Sequence, residues 1–359
     1  MLPTVSLSIV NWNGMQYIKK CLDSVYQQDY KGKIEIIIVD NFSQDGSLEF
    51  VEKNYKDIAI LRNKTNRGFA CGHNQAVKAS NGQFILFLNF DVFLEPQFIS
   101  QMVAAMEKNA KTGMLSGKLY KQFNGDKSNV LDSTGITMFR CFMSPRGEME
   151  EDKKQHDAPE QANVFGVCGA AAFCRREALE DIRLKDEYFD EDFINYVEDV
   201  DLSWRLQLRG WVCCYNPNAI AYHERGVTRK NNKAMLRSYL VYGFRNRYCT
   251  MLKNFTWESL KKNKAEILFR ELAFLFAKIR EIPYSVRLEA LIRALFMSVG
   301  MFVKRMAIQK VRIADEQYME SFFRYDKESF NKEMRHNLKM MLSTAKEKFK
   351  IKRSPYKVQ

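Results

Sequence analysis

The sequence predicts an α/β protein in which a mostly parallel β-sheet is flanked by helices, followed by an all-α extension. Two observations support this prediction. Through the first ninety residues, short β-branched or aromatic runs alternate with helical segments, as in βαβ units with right-handed crossovers. After about residue 230, the apolar spacing becomes helical throughout. We therefore expect an α/β domain over residues 1–230 and a basic helical region over residues 231–359.

Four short apolar runs are predicted to form the first strands of the sheet, at residues 5–10, 34–39, 58–61 and 84–88. Because these runs are continuously apolar, both faces of each strand should be covered. The segments between the strands are predicted to be helices, at residues 15–28, 46–55 and 69–79. A polar stretch then interrupts the pattern, and we expect a long loop, either a lid or a disordered segment, at residues 124–163.

Polar side chains follow each of the four predicted strands. These side chains are Asn11 and Asn13, Asp40 and Asn41, Asn63, Asn66 and Arg67, and Asn89 and Asp91. Open α/β sheets bind ligands at the carboxyl ends of their strands, so this edge is the predicted binding site. For Asn41, Asn63 and Asn81, a turn-forming role is the preferred interpretation.

The chemistry of this edge suits a nucleotide. Asp40 can accept a hydrogen bond from a base imide or a ribose hydroxyl, and Arg67 beside Gly68 can meet a phosphate. A nicotinamide or flavin Rossmann enzyme is disfavoured because no GxGxxG follows the first strand, and the P-loop pattern GxxxxGK[ST] does not occur.

Asp91 emerges alone from the most apolar strand, in the segment LFLNFDVFL. An isolated carboxylate in this position is predicted to bind a hard divalent cation that bridges a diphosphate. The alternative is a strand-ending aspartate that caps the helix expected to begin near Pro96.

A second acidic cluster begins the predicted helix of residues 195–211. Its apolar residues fall on two opposite faces, so this helix should be sandwiched inside the protein, with Trp211 packed under it. Asp201 and Arg205 have the i,i+4 spacing of a structural ion pair, which leaves Asp199 as the acid least engaged by its own helix. Capping of the helix dipole by these acids is the alternative.

The net charge of +13 lies almost wholly in the last third, where residues 250–359 carry 24 Lys/Arg and 12 Asp/Glu. No apolar run is long enough to span a bilayer, and the start of the sequence lacks signal-peptide features, so we expect a cytoplasmic protein.

Residues 285–312 place an apolar stripe beside basic residues, which is typical of a helix on an anionic membrane surface. Burial of that stripe against the α/β domain or in a homodimer is the alternative. The stripe consists of Leu288, Leu291, Ile292, Leu295, Val299, Phe302 and Met306.

Seven segments, in this order, resemble an inverting family-2 glycosyltransferase with a GT-A fold. The segments are SIVNWNG, IIIVDNFSQDGS, NRGFACGHNQAV, FLNFDVFLEP, GAAAFCRREAL, FDEDFINYVEDVDLSWRLQLRGW and AYHERGVT. Within this family the chain most resembles the rhamnosyltransferases of bacterial O-antigen and cell-wall polysaccharide assembly. The resemblance covers about residues 4–250.

The resemblance implies roles for individual residues. Asp199 becomes the general base and Glu198 an acceptor-binding residue, while Asp91 and His223 hold a divalent metal, Mn²⁺ or Mg²⁺. The Asp-x-Asp metal motif of the family corresponds here to Asn89, Phe90 and Asp91, so only its last acid is present. The residues expected to bind the nucleotide sugar are Asn11, Asn13, Asp40, Asn66, Arg67, Gly68 and Asn89.

The resemblance also favours dTDP-L-rhamnose as donor, with UDP- and GDP-sugars as alternatives. It implies a polyprenyl-diphosphate-linked glycan as acceptor, at the inner face of the cell membrane. Two rival functions remain. A sugar-1-phosphate nucleotidyltransferase would open with a Gly-rich, Lys-bearing loop, where this chain has NWNG. A nucleic-acid-binding protein would explain the basic tail but leaves Asp40, Asp91 and Asp199 without a purpose.

Overall fold

A computed structural model describes residues 1–123, 125–139, 143–145, 152, 162–225, 233–276 and 282–324. In these ranges, no helix has both the length and the apolar character that a membrane span requires.

The first ninety residues form the predicted alternation of strands and helices. The elements are β1 (Val5–Asn11), α1 (Ile18–Tyr26), β2 (Ile34–Asp40), α2 (Ser47–Asn54), β3 (Ala59–Arg62), α3 (Gly68–Lys78) and β4 (Phe84–Asn89). Strands β3, β2, β1 and β4 lie side by side in this order, and all three pairings are parallel. The register sets Asn11 opposite Asp40 and Val10 opposite Asn89. The polar strand ends therefore meet at one edge, as predicted.

The sheet continues with strands of mixed direction. The next elements are β5 (Val92–Leu94), α4 (Phe98–Lys108), β6 (Thr112–Phe123), β7 (Asp126–Ser133), β8 (Ile136–Phe139), β9 (Met143–Pro145) and β10 (Ala162–Asn163). They are followed by β11 (Ala171–Arg175), α5 (Arg176–Asp181), α6 (Glu198–Leu208) and β12 (Val212–His223). Strand β11 runs antiparallel between β4 and β6, and β12 runs parallel to β6.

The prediction of one long polar loop at residues 124–163 is wrong for its first part. Strand β7 pairs antiparallel with the far end of β6, and β8 follows it directly. The long strand β6 provides an edge on which the chain folds back, and Gly125 at φ +94° makes the turn. Residues 146–151 and 153–161 of the predicted loop lie outside the described residues.

Helix α6 is sandwiched, as its two apolar faces predict. Leu202 and Leu206 pack with core residues of the sheet such as Phe87. On the other side, Val200 and Trp204 join a cluster formed with the C-terminal helices. Trp211 lies just beyond the end of α6 and packs, partly buried, against the core cluster that contains Leu202 and Leu206 of this helix, in line with the prediction. Its indole N–H reaches Asp181, whose carboxylate accepts the hydrogen bond at 2.9 Å.

The C-terminal region is helical, with a last short strand. It comprises α7 (Lys233–Asn254), α8 (Trp257–Phe276), α9 (Tyr284–Lys310), α10 (Glu316–Ser321) and β13 (Phe323–Arg324). Met251 of α7, Phe255 just after α7 and Ile308 of α9 are buried in the same cluster as Trp204 of α6. These helices therefore share a core with the α/β part, and a division of the chain at residue 230 stays a prediction.

Candidate active site

The site begins at the carboxyl ends of β1 and β2. The Asn11 amide donates hydrogen bonds to the Asp40 carboxylate at 2.9 Å and to the hydroxyls of Ser43 and Ser47. The other Asp40 oxygen accepts from the Ser43 N–H at 3.0 Å, and Asp40 is only 2% exposed. Both oxygens thus already accept hydrogen bonds, and a bound base would use the remaining lone pairs of the carboxylate.

The other predicted nucleotide-binding residues line the same edge. Asn13 lies at φ +53°, and its side-chain oxygen accepts from the Gln44 N–H. The Asn66 side chain accepts from the Gly68 N–H at 2.9 Å, which shapes the turn into α3. Gly68 lies at φ +82°, and a Cβ there would meet Ile194 at 2.6 Å. The Arg67 side chain, at the start of α3, is half-exposed and lies 3.5 Å from the Glu191 carboxylate.

Asn41 and Asn63 hold this edge together, in line with the structural interpretation of both residues. The Asn63 amide donates to the Asn41 side chain at 2.9 Å, and the Asn41 amide donates to the Gly68 carbonyl at 3.0 Å. These bonds join the loops after β2 and β3 to the first turn of α3.

Asp91 and His223 lie together at the ends of neighbouring strands. The Nε2 atom of His223 is 3.4 Å from the Asp91 carboxylate, and its Nδ1 atom contacts Asp132 at 2.9 Å. Burial works against the charged form of His223, but Asp91 and Asp132 outweigh it and raise its pKa to about 9. Asp132 also forms an ion pair with Arg225.

This pair of residues fits a divalent cation that also binds a ligand's diphosphate. Carboxylate oxygen and imidazole nitrogen are donors that Mn²⁺ accepts, and a carboxylate on the second ring nitrogen orients a histidine for metal binding. Within the described residues, no group of three or more histidine, cysteine, aspartate or glutamate side chains forms a metal cluster. The remaining ligands of a cation at Asp91 and His223 would therefore come from phosphate oxygens and water. Asn89 precedes this pair at the end of β4, and its N–H donates to the Ala170 carbonyl.

Asp199 lies in the first turn of α6 and is partly buried. One carboxylate oxygen accepts from the Gly169 N–H and the other from the Val200 N–H, both at 2.8 Å. A Cβ at residue 169 would lie 3.3 Å from the Asp199 Cβ, so a glycine permits this close approach. Burial raises the pKa of Asp199 above its usual value, although the two N–H donors and Arg225 oppose the shift.

The three acids of this helix have separate environments. Asp201 forms the predicted ion pair with Arg205 at 3.0 Å. Asp199, predicted to be the acid least engaged by its own helix, accepts one hydrogen bond within α6, from the Val200 N–H, and one from outside it, from the Gly169 N–H. It is Glu198 that has a buried oxygen, Oε2, without a hydrogen-bond partner among the described residues. Burial, and then the charge of Asp199, raise the pKa of Glu198 well above its usual value.

The loop before Asp199 is held by the C-terminal helices. Ile194, Tyr196 and Val197 all have positive φ, between 65° and 73°, which is strained for these residues. The buried Asn246 amide of α7 donates to the carbonyls of Phe193, Asn195 and Tyr196, at 2.7–2.9 Å.

The sequence analysis did not identify three residues of the site, Asp132, Arg225 and Asn246. Asp132 and Arg225 connect the Asp91–His223 pair to Asp199. Arg225 pairs with Asp132, which contacts His223, and its charge also acts on Asp199. The dipeptide Asn124-Gly125, a hairpin signal, could have indicated the strand that carries Asp132. Nothing local in the sequence marks Asn246.

Comparison with known proteins gives a consistent result. Residues 6–183 match the family model described as Glycosyl transferase family 2. A poly-beta-1,6-N-acetyl-D-glucosamine synthase of Staphylococcus epidermidis is 24% identical over 221 residues, which cover 61% of this chain and 49% of that protein. The chain thus spans about half the length of this curated relative.

A second relative comes from Methanococcus voltae. It is a dolichyl N-acetyl-alpha-D-glucosaminyl phosphate 3-beta-D-2,3-diacetamido-2,3-dideoxy-beta-D-glucuronosyltransferase, 23% identical over 252 residues, with 67% of this chain and 71% of that protein covered. Among solved structures, GalNAc-T7 with UDP, GalNAc and Mn²⁺ is similar at a TM-score of 0.59 and 16% identity, covering 85% of this chain and 57% of that chain. The predicted GT-A fold is confirmed by this structural likeness.

Proposed function

We propose that this chain, whose residues 6–183 match the model of glycosyl transferase family 2, transfers a sugar from a nucleotide-diphosphate sugar to a saccharide hydroxyl with inversion. The observation that carries this proposal is the partly buried Asp199 carboxylate, which backbone N–H groups hold in a fixed position. Through Arg225 and Asp132 this carboxylate is connected to Asp91 and His223.

Asp199 is proposed to act as the general base. Its carboxylate accepts the proton of the acceptor hydroxyl while the hydroxyl oxygen attacks the anomeric carbon. The bond from that carbon to the diphosphate oxygen breaks, and the nucleotide diphosphate leaves with the electron pair. A single displacement inverts the anomeric centre, so the enzyme needs no covalent nucleophile, and the raised pKa of Asp199 makes it a stronger base than an exposed aspartate.

Glu198 is proposed to bind the acceptor. With its raised pKa, its carboxyl group is protonated at higher pH than an ordinary glutamate and can donate a hydrogen bond. The buried oxygen without a partner supports this role, because a buried polar atom is costly until a ligand satisfies it.

The donor is proposed to bind at the polar edge of the sheet. Asp40 contacts the base, Asn11 holds Asp40 in place, and Arg67 meets a phosphate. Asn13, Asn66, Gly68 and Asn89 complete this surface. Asp91 and His223 would hold Mn²⁺ or Mg²⁺, which offsets the charge that develops on the diphosphate. Mn²⁺ and UDP in the GalNAc-T7 structure support this assignment.

For the donor sugar and the acceptor, we propose L-rhamnose from dTDP-L-rhamnose and a polyprenyl-diphosphate-linked glycan. The segments that resemble bacterial rhamnosyltransferases support the sugar. The relative from Methanococcus voltae, whose name specifies a dolichyl phosphate acceptor, supports a lipid-linked acceptor. Such an acceptor would place the enzyme at the inner face of the cell membrane.

The test is nucleotide release from a panel of donors with a lipid-linked oligosaccharide acceptor. The panel contains dTDP-L-rhamnose, UDP-N-acetylglucosamine and GDP-mannose, each with Mn²⁺, with Mg²⁺ and with EDTA. We expect acceptor-dependent release of dTDP that EDTA abolishes. Release of UDP alone would indicate that the transferred sugar is an aminosugar and not rhamnose. Release from none of the donors would contradict the proposed function.

A further inference from the structure

The outer face of α9 is apolar and exposed. Eight large apolar side chains on this face are 38% to 85% exposed, and Phe296 and Val299 are the most exposed of them. The eight are Leu288, Ile292, Leu295, Phe296, Val299, Phe302, Val303 and Met306. On the neighbouring helix α8, Leu268 and Leu272 are 60% and 45% exposed. We call these ten residues the α8–α9 face.

The helix is fixed by its opposite side. Ala290, Ala294, Met301 and Ile308 are buried there. Lys304 anchors α9 to the strained loop through ion pairs with Asp190 and Asp192, at 2.5 and 2.8 Å. The orientation of α9 is therefore set by this packing, and the α8–α9 face points away from the core. Burial of the stripe against the α/β domain, one of the alternatives from the sequence, is wrong for these side chains.

The exposed face is large. Between Leu288 and Met306 the helix rises about 27 Å, at about 1.5 Å per residue. Exposed apolar patches of more than a few hundred Å² on soluble proteins usually mark a surface that another molecule or a membrane covers.

The charges around this face select the partner. Lys261 and Lys264 lie on α8 one to three turns before Leu268 and Leu272, and both are exposed. Arg293 lies within the stripe, half-exposed and paired with Glu289 at 2.9 Å, and the exposed Lys310 ends α9. A second copy of the chain would bring two equally basic rims together, whereas anionic lipid headgroups complement them. A helix that is apolar on one face and does not span a bilayer lies in the plane of the membrane surface.

We propose that the α8–α9 face docks in the interface of an anionic lipid bilayer. Its exposed aliphatic and aromatic side chains enter the boundary between headgroups and acyl chains, while the surrounding lysine and arginine residues contact the headgroups. The inference rests on the proposed function for its purpose, which is to bring the site to a lipid-linked acceptor. Its test requires no catalysis.

The experiment is flotation of the full chain with vesicles of equimolar phosphatidylcholine and phosphatidylglycerol, and with vesicles of phosphatidylcholine alone. We expect binding to the anionic vesicles that weakens as salt is raised. The double variant Phe296→Glu/Val299→Glu should lower the partition coefficient at least about tenfold, because two apolar side chains no longer enter the interface. Lys261→Glu/Lys264→Glu should lower binding to the anionic vesicles only.

The matched control is Phe123→Glu, which changes an aromatic residue of strand β6 that is 50% exposed and lies outside the α8–α9 face. This variant should bind vesicles like the unchanged chain. Circular dichroism melting confirms that each variant is folded. Sedimentation velocity without vesicles measures whether the chain forms a dimer.

Two results would overturn the proposal. One is unchanged vesicle binding by the Phe296→Glu/Val299→Glu variant. The other is a chain that binds no vesicles and forms a dimer that this variant converts to monomer, which would assign the face to a second copy. Nucleotide release without vesicles is measured in parallel, so a failure of the proposed function is seen separately from a failure of docking.

Discussion

The donor edge and the Asp199 loop are built in opposite ways. At the donor edge, Asn11 and Asp40 end their strands, Asn63 follows β3, and all three hydrogen-bond to one another or to adjacent turns. The Asp199 loop is strained and is held from outside, by Asn246 of α7 and Lys304 of α9. The donor edge therefore depends on local sequence, whereas the position of the base depends on helices that come later in the chain.

The ion pairs around α6 also differ in burial from an ion pair on helix α1. The acids before and within α6 take part in a buried ion network in which Lys253 contacts Asp190 at 2.5 Å and Asp201 at 2.9 Å. On α1, the Lys19–Asp23 ion pair is largely exposed. Loss of a cation should therefore have unequal effects at these two places.

The largest expected effect comes from Lys253→Met. This substitution removes a fully buried cation and leaves two carboxylates less compensated, which should lower the free energy of unfolding by about 3–5 kcal/mol. Lys19→Met is the matched control and should change it by less than about 1 kcal/mol. Urea unfolding measures both, and equal losses would remove the distinction between these two places.

The next effect concerns the loop itself. Asn246→Ala removes the donor to three carbonyls of the strained loop and should lower kcat about 10-fold or more, as expected when a catalytic group is displaced by a fraction of an ångström. The donor Kd should stay within about 2-fold, because the donor edge makes its own hydrogen bonds.

The reciprocal variant is Asp40→Asn, which should raise the donor Kd about 10-fold, by loss of a hydrogen bond to a charged group, with a smaller effect on kcat. Isothermal titration with the nucleotide measures Kd, and saturating kinetics measure kcat. If Asn246→Ala weakened donor binding as much as it lowered kcat, Asn246 would have a general structural role rather than a positioning role.

A smaller effect is expected from Gly169→Ala. The added Cβ would lie 3.2 Å from the Phe69 ring and 3.3 Å from the Asp199 Cβ, so Asp199 must move by a few tenths of an ångström. We expect kcat to fall about 3- to 10-fold with little change in donor Kd. An unchanged kcat would show that the position of Asp199 is not tightly constrained by this contact. Gly243→Ala, on α7 with no atom within 4 Å of the added Cβ, is the control.

The smallest effect is a displacement of the pH profile. Asp199 must be ionised to accept a proton, so kcat/KM falls as pH drops through its pKa. Burial raises this pKa, Glu198 and Cys168 lie nearby as further acids, and Arg225 opposes the shift. The pKa of an ordinary aspartate is about 3.9. We therefore expect the acidic limb of the profile to lie above that pH. A limb at or below it would contradict a general base whose pKa is raised by burial.

The sequence predicts the donor edge well, for a physical reason. Parallel strands bring their carboxyl ends together, so a side chain placed just after a strand is placed at the edge. Asn11 and Asp40 satisfy this rule, and their hydrogen bond at 2.9 Å follows from the register of β1 and β2. The two-faced pattern of α6 likewise predicts its position between the sheet and the C-terminal helices.

The rest of the site depends on contacts between distant parts of the chain. Asp132 reaches His223 across 91 residues, and Asn246 reaches Tyr196 across 50. No periodicity or spacing within a short window encodes such pairs. The spacing of residues within α6 likewise gives no sign of the hydrogen bond from Gly169 to Asp199, because the two residues are 30 apart in the chain.

The most direct test of the account is Asp199→Asn, which keeps the size of the side chain and removes its ability to take a proton. We predict that the folded variant binds the nucleotide donor with an unchanged Kd and loses transfer by about 100-fold or more. Asp186→Asn, which changes an exposed acid earlier in the chain, is the control and should retain most of its transfer. Substantial transfer by Asp199→Asn would contradict the assignment of Asp199 as the base.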